Sequence, residues 1–505
     1  MGVLAQFDRG ATLFPNRTCL VEGDVAKTYA EVRQATFGIA ACLAGSRIQR
    51  GDKVAMLSAN SMRAFEFMFG VYRAGCIFVP LSAAAGAEEL AHILNHTKTR
   101  VLGVDALHRQ VADDLKRRCP LLTTVVVIDD LSLPPGEPGA TSLPESLDEV
   151  VSIYSTGGTT GVPKCVEFTA LTWDTMSANF HAALPCPDHP IYLVSTPMTH
   201  ASGTISIPLF AIGATVVVTS EFRAGEALRL IERHKVTHLW LPPTAVYLLL
   251  DDPDLKRRDC GSLQCFMYSA APMSVAKLRE CLEVFGPVMV QIWGQTEAPC
   301  FCTCLDQQDH VEAMADGGKR LASCGRPMLF SPTAIMADDG RLCGANEIGE
   351  LVVRGNLVTP GYHRDDATTR ATIVDGWLHT GDVGYQDDRG FVFIVDRKKE
   401  MIISGGVNIY PAEVEQAVLA HPAVRECVVF GVPDEKWGEA VRAVVVLKTG
   451  ASATDAEIRN LCRETLKIKS PKVVEFRESL PRTPVGKIDR NAVKKPYWVN
   501  CGRLI

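Results

Sequence analysis

The chain has 505 residues, 47% apolar and 22% charged, with 52 Lys plus Arg against 58 Asp plus Glu and a formal net charge of −6. That length exceeds one ordinary core, so at least two domains are expected. The mild negative charge, without any run of lysines or arginines, speaks against nucleic acid or an anionic membrane surface as the main partner.

The opening "MGVLAQFDRG" has no apolar signal core, and Gln6 breaks the myristoylation pattern. From residue 50, β-rich runs ("KVAML", "CIFVPL", "RVLGVD", "TTVVVIDD") alternate with helical stretches, which reads as a parallel sheet wound with helices on both faces. A Pro-, Gly- and Ser-rich segment, residues 131–148, leads into "VVSIY" and the loop "YSTGGTTGVPK". The alternation resumes through "IYLVST", "ATVVVT", "THLWL", "LQCFMYSAAP" and "VMVQIWGQTE", so two βα series are expected to pack as two sheets. Residues 201–220 carry no charge and could span a bilayer by length. Pro208, two glycines and the β-branched "ATVVVT" instead predict a buried helix followed by a buried parallel strand, and no membrane span. After residue 320 the chain turns antiparallel, and "DRKKEMIISGGVNIYPAEVE" begins a last unit with its own helices and strands.

Seventeen cysteines without paired spacing argue for reduced thiols in a cytoplasmic protein. In "PCFCTC" the alternate Cys300, Cys302 and Cys304 share a face of an extended segment. Zinc sites usually show a C-x₂₋₄-C pair with a second ligand pair, so pocket lining is the better reading.

The glycines of "YSTGGTTGVPK" let backbone N–H groups form an anion nest, with hydroxyls from Thr156, Thr159 and Thr160 and a point charge from Lys164. The stretch does not match the P-loop, since Val162 and Pro163 separate Gly161 from the lysine. In "QIWGQTEA", Trp293 could stack on a purine, Thr296 could donate to a phosphate and Glu297 suits magnesium, although Thr-Glu is also a common helix cap. "HTGDVG" offers Asp382 to a ribose, "DRKK" supplies Arg397, and "PVGKIDR" puts Lys487 on a glycine turn. Singly, each is more often an ordinary turn residue.

Taken in order, these motifs resemble the adenylate-forming superfamily of acyl-CoA synthetases, peptide-synthetase adenylation domains and firefly-type luciferases. The resemblance also rests on "PMTHASG", "YSAAPM", "GELVVRG", "SGGVNIYPAEVE" and "PRTPVGKIDR", and covers nearly the whole chain. It implies an α/β fold. A large N-terminal domain of packed βα sheets with a small antiparallel portion would span residues 1–396, and a small mobile α+β domain residues 397–505. It implies an AMP-forming acid–thiol ligase that uses ATP, Mg²⁺ and coenzyme A. Thr156, Gly157, Gly158, Thr159, Thr160, Gly161 and Lys164 would hold the phosphates that leave as pyrophosphate. Glu297, with Thr156 second, would hold Mg²⁺, and Lys487 would bridge the acyl and α-phosphate oxygens. Ala270, Ala271 and Trp293 would sandwich adenine beside Gly294, Gln295 and Thr296, while Asp382 and Arg397 clamp the ribose. Gly157 and Cys165 stand where the family loop often has Ser and Gly, and neither change removes a charge.

The resemblance also implies rotation about a hinge at Lys399 that withdraws Lys487 and brings in Gly405 and Gly406 beside the pantetheine chain. The chain ends at "KKPYWVNCGRLI" without a carrier module, so free coenzyme A is the expected acceptor. A stand-alone enzyme loading a carrier protein and a non-catalytic nucleotide-binding relative are the alternatives; the latter would be expected to lose Lys487 or Glu297. His200 occupies a position where many aryl and fatty acid enzymes keep a histidine. Gly294, where acetate-type relatives have Trp, is expected to leave room for a larger acid. With Ser269, Ile292, Phe301 and Cys302 as further lining, a hydrophobic monocarboxylic acid, aromatic or medium to long in chain, is expected. A monomer or homodimer is anticipated.

Overall fold

The computed structural model describes residues 2–46, 48–133, 143–156, 163–482 and 488–498. Among these, the first half builds two large sheets. One has six strands in the order Thr124–Val127, Val101–Val104, Lys53–Leu57, Ile77–Leu81, Val150–Ser155 and Cys165–Thr169, parallel except for the last pair. The other has nine, with a parallel centre from Thr18–Glu22 to Met289–Gln295 and antiparallel strands at both edges.

Strand alternation shows why the sheets stack. Val54 and Met56 point into one core cluster, while Ala55 and Leu57 of the same strand point into another. Tyr192 and Val194 likewise face the first cluster and Leu193 a third. Both faces of both sheets are therefore covered, as the near-continuous apolar runs require. The shared cluster holds the helices Gly2–Leu13, Tyr29–Gly45, Met62–Arg73, Ala170–Ala183 and Ala201–Ala211, giving a helical layer between two sheets. Helices Ala87–Thr97 and Arg109–Arg118 cover one outer face, and Ala224–His234, Pro243–Leu250 and Val275–Phe285 the other.

Residues 201–220 divide as expected into the buried helix Ala201–Ala211 and the buried strand Thr215–Val218. Among the described residues no helix is long and apolar enough to cross a membrane. Two features go beyond the sequence reading. The N-terminal segment is structural: Phe7 is 0% exposed, with ring centroids 4.2 Å from Phe69 and 6.1 Å from Phe210. The phosphate-loop segment also does not run from strand to helix. Val150–Ser155 pairs antiparallel with Cys165–Thr169 in the register Ser155↔Cys165, so the loop joins the two arms of a hairpin. The helix begins only at Ala170, capped by Thr169 Oγ1 accepting from the Thr172 amide at 3.1 Å.

A five-stranded sheet containing Thr333–Met336, Gly349–Arg354, Trp377–Gln386 and Val392–Arg397 follows, antiparallel as expected. The C-terminal sheet is built on the long hairpin Val424–Asp434/Gly438–Leu447. Its faces divide between two clusters, Cys427 and Val429 in one, Val428 and Phe430 in the other. Helices Pro411–Leu419 and Asp455–Leu466 pack on the first, the latter started by a Thr454–Glu457 capping box.

The hairpin of Met289–Gln295 and Ala298–Leu305 carries Gly294, Phe301 and Cys302. A Cβ on Gly294 would stand 2.7 Å from the Ala298 carbonyl oxygen and 2.7 Å from the Cys300 amide nitrogen. Gly294 therefore answers to close approach of the opposite strand's backbone, where a side chain would clash. Phe301 and Cys302 are consecutive strand residues, both fully buried in the main core cluster. Phe301 packs edge-on against Phe180 with centroids 5.8 Å apart.

Two stability predictions result. Phe7→Ala should cost about 3–5 kcal/mol through the cavity it leaves, and an unfolding midpoint equal to the unmodified protein's would show the N-terminal helix to be dispensable. Gly294→Ala should cost about 1–3 kcal/mol through overpacking, read in the same thermal denaturation. An unshifted midpoint there would mean that the hairpin yields freely.

Candidate active site

The site is organised by a short piece of backbone. Residues 359–363 lie along the edge strand Cys165–Thr169. The Glu167 amide donates to the Gly361 carbonyl at 3.1 Å, and the His363 amide to the Cys165 carbonyl at 2.7 Å, around a Val166–Tyr362 bridge. The Thr359 amide donates to the Glu297 carbonyl at 2.8 Å, so the same segment also holds the turn of the Gly294 hairpin. Thr296 and Glu297 are the two residues of that turn, which sets aside the helix-cap alternative.

This docking brings two predicted residues, Glu297 and Lys164, onto one that sequence reasoning missed. Tyr362, 6% exposed, donates its hydroxyl to Glu297 Oε1 at 2.6 Å. Lys164 Nζ stands 5.1 Å from the centre of the Tyr362 ring. The Thr156 amide donates to the Lys164 carbonyl at 2.8 Å and closes the base of the phosphate-loop hairpin. Burial, and then the Glu297 carboxylate beside it, push the Tyr362 phenol well up, so it remains a donor at neutral pH. Among the described residues Glu297 makes no salt bridge; it is a hard oxygen donor, which fits Mg²⁺ held by one carboxylate and substrate phosphates. Gly157, Gly158, Thr159, Thr160, Gly161 and Lys487 lie outside the described residues. Arg482 and Ile488, flanking Lys487, form an antiparallel bridge.

Asp382 and Arg397 are directly opposite on neighbouring antiparallel strands. Arg397 Nε lies 2.7 Å from Asp382 Oδ1, and Asp382 is 4% exposed. Arg397 Nη1 also donates to the Thr380 carbonyl at 3.2 Å. Two residues on, Lys399 has its ammonium depressed, first by partial desolvation and further by the cations of Arg397 and Lys164, against the pull of Glu400.

Ser269, Ala270 and Ala271 follow the carboxyl end of the strand Cys265–Tyr268. Ala270 has φ +74°, a left-handed conformation unusual for a residue with a side chain. Ser269 Oγ accepts from Trp240 Nε1 at 2.8 Å. Trp293 is part-buried and packs between the main core and the cluster of Cys324, Ile335, Leu351 and Val392; Ile292, beside it, is 1% exposed in the main core. Gln295 ends that strand, paired with Ala298 across the turn. His200 precedes the helix Ala201–Ala211, its Nδ1 3.1 Å from Thr199 Oγ1. The cysteine run packs in the core, and burial pushes its thiols up, Cys300 to about 12. Among the described residues no three His, Cys, Asp or Glu side chains are grouped to hold a metal.

In the C-terminal unit Gly405 and Gly406 form a turn with φ +58° and +77°. A Cβ at Gly405 would strike the Trp437 ring at 2.5 Å, whereas one at Gly406 would meet nothing within 4 Å. In the same unit Arg490 Nη2 pairs with Glu415 at 2.7 Å, and Asp396 accepts from the Ala412 amide at 2.7 Å.

The AMP-binding enzyme model matches residues 7–363, and that of the AMP-binding enzyme C-terminal domain residues 413–487. The medium/long-chain-fatty-acid–CoA ligase FadD8 of Mycobacterium tuberculosis is 41% identical over 366 residues, spanning 71% of this chain and 63% of that protein. Feruloyl-CoA synthase of Amycolatopsis is 34% identical over 97% of this chain and 98% of its own. Among solved structures, the amide bond synthetase McbA from Marinactinospora thermotolerans superposes with TM-score 0.89 at 29% identity, over 98% of this chain and 99% of that one. The o-succinylbenzoate CoA synthetase MenE of Bacillus subtilis, in complex with the acyl-adenylate intermediate OSB-AMP, does so with TM-score 0.86 at 29% identity, over 97% of each chain. The two-sheet architecture, the small C-terminal unit and these matches together show that the chain belongs to the AMP-binding enzyme family.

Proposed function

We propose that this protein is an ATP-dependent carboxylate–CoA ligase acting on a hydrophobic monocarboxylic acid, aromatic or medium to long in chain. The observation that supports it most is the meeting of Lys164 and Glu297 on Tyr362, a cation and a hard carboxylate held beside the phosphate-loop hairpin. The names of the relatives support the acid and thiol classes.

In the first step a carboxylate oxygen attacks the α-phosphorus of ATP, and the bond to the β-phosphate oxygen breaks to release pyrophosphate. The carboxylate is already ionised at neutral pH, so no base is required. Catalysis then comes from alignment and from balancing negative charge. Lys164 would stay with the departing pyrophosphate, and Lys487 would steady the oxygens of the forming anhydride. Bound Mg²⁺ would supply a Lewis acid on the phosphate oxygens, held by Glu297 with Thr156 as the second candidate. Asp382, oriented by Arg397, would accept the ribose hydroxyls. In the second step the thiol sulfur attacks the acyl carbon, AMP leaves with the former carboxylate oxygen, and the thiol proton is released.

We read residues 1–396 as the adenylating unit and 397–505 as the unit that turns about Lys399 between the steps. Gly406, with open space where a side chain would be, suits a narrow thiol arm better than Gly405, which Trp437 already covers. Likeness to an amide bond synthetase makes an amine the competing acceptor; the adenylate step is common to both readings.

A panel of acids with ATP and Mg²⁺ should release pyrophosphate, and added coenzyme A should yield acyl-CoA and AMP. ADP and phosphate as products would overturn the proposal, and turnover only with amines would replace the acceptor. Lys487→Ala should slow pyrophosphate release by about 10²–10³-fold. Given preformed acyl-adenylate, the same variant should still make thioester at a substantial rate. Equal loss of both steps would remove the rotation about Lys399.

A further inference from the structure

Among the described residues Tyr362 makes contacts of two different kinds with two charged side chains, Glu297 and Lys164. Its hydroxyl donates to Glu297 Oε1 at 2.6 Å, a charge-assisted bond, and its ring lies 5.1 Å from Lys164 Nζ. Glu297 and Lys164 are flexible side chains, one in a two-residue turn and one at the end of a loop. Tyr362 is the member held by the scaffold. Its amide donates to Thr369 Oγ1 at 2.9 Å, and its backbone bridges to Val166. The next residue, His363, is anchored by its amide to Cys165 and by Nδ1 to Glu167 Oε1 at 2.6 Å.

Among the described residues Lys164 and Glu297 form no ion pair with each other, although both contact one phenol. A direct ion pair would spend the cation and the carboxylate on one another. The nucleotide phosphates and the divalent cation would each lose a partner.

We propose that Tyr362 is a positioning residue that aims Glu297 at the divalent cation and keeps Lys164 apart from it, free for the phosphates of the nucleotide. The inference rests on the ligase reading above. Tyr362→Phe removes the hydroxyl and keeps the ring, so only the Glu297 arm is lost. Tyr362→Ala removes both and lets Lys164 and Glu297 close on each other.

The test is calorimetric titration of the protein with ATP at fixed Mg²⁺ in the absence of acid, beside ATP–pyrophosphate exchange measured across Mg²⁺ concentrations. The Phe variant should need about ten-fold more Mg²⁺ for half-maximal exchange, the size expected for one hydrogen bond to a charged group. At saturating Mg²⁺ it should regain the ATP affinity of the unmodified protein. The Ala variant should bind ATP at least ten-fold more weakly, and Mg²⁺ should not restore it. A thermal unfolding scan accompanies both; should Tyr362→Ala fail to fold, the Phe variant's Mg²⁺ dependence decides alone. An unshifted Mg²⁺ requirement in the Phe variant, or equal behaviour of the two folded variants, overturns the proposal. Failure of the unmodified protein to bind Mg²⁺ and ATP or to exchange pyrophosphate would instead sink the ligase reading itself, and this inference with it.

Discussion

The candidate site depends on the docking of residues 359–363 along the strand Cys165–Thr169. An edge strand presents unpaired N–H and C=O groups that must be satisfied or covered. Here a returning segment from beyond the nine-stranded sheet covers them through Glu167, Cys165 and a Val166 bridge. Because Thr359 also bonds the Glu297 carbonyl, one stretch of backbone fastens the phosphate-loop hairpin of the six-stranded sheet to the 289–305 hairpin of the nine-stranded one. Side chains more than a hundred residues apart are thereby held within reach of one phenol.

A second constraint is charge. A nucleotide and a carboxylate both carry negative charge, and bringing them together requires cations that are not spent on protein partners. Lys164 rests against the aromatic face of Tyr362. Arg397 is committed to Asp382, whose burial at 4% exposure would be costly without that partner. Such a pair is weak support for stability, and its value here lies in orienting a carboxylate at the mouth of the small sheet.

Much of this was legible in the sequence because strand and helix periods dominate it. The runs "KVAML" and "IYLVS" show no alternation since both faces are buried, and the structure divides them residue by residue between clusters. Asp382 and Arg397 came from two separate motifs, and their pairing across neighbouring strands is what the structure adds. Other features were hidden because they depend on tertiary approach. Gly294 reads as empty space until the opposite strand is seen 2.7 Å from its missing Cβ. The segment "CVEFT" directly follows the glycine loop, and only its pairing with Val150–Ser155 reveals the hairpin. Tyr362 lies in "GYHR", where no charge pattern or spacing distinguishes it; only the cross-sheet bridge to Val166 brings it to Glu297.

The central claim is that the carboxylate itself attacks the α-phosphate. Its most direct test is oxygen transfer from an acid labelled with ¹⁸O in both carboxylate positions, followed by mass spectrometry of the products of a complete turnover with coenzyme A. The account predicts AMP carrying one labelled oxygen, acyl-CoA retaining the other, and unlabelled pyrophosphate. Label in inorganic phosphate, or AMP without it, would contradict an acyl-adenylate and the site assembled here to form one.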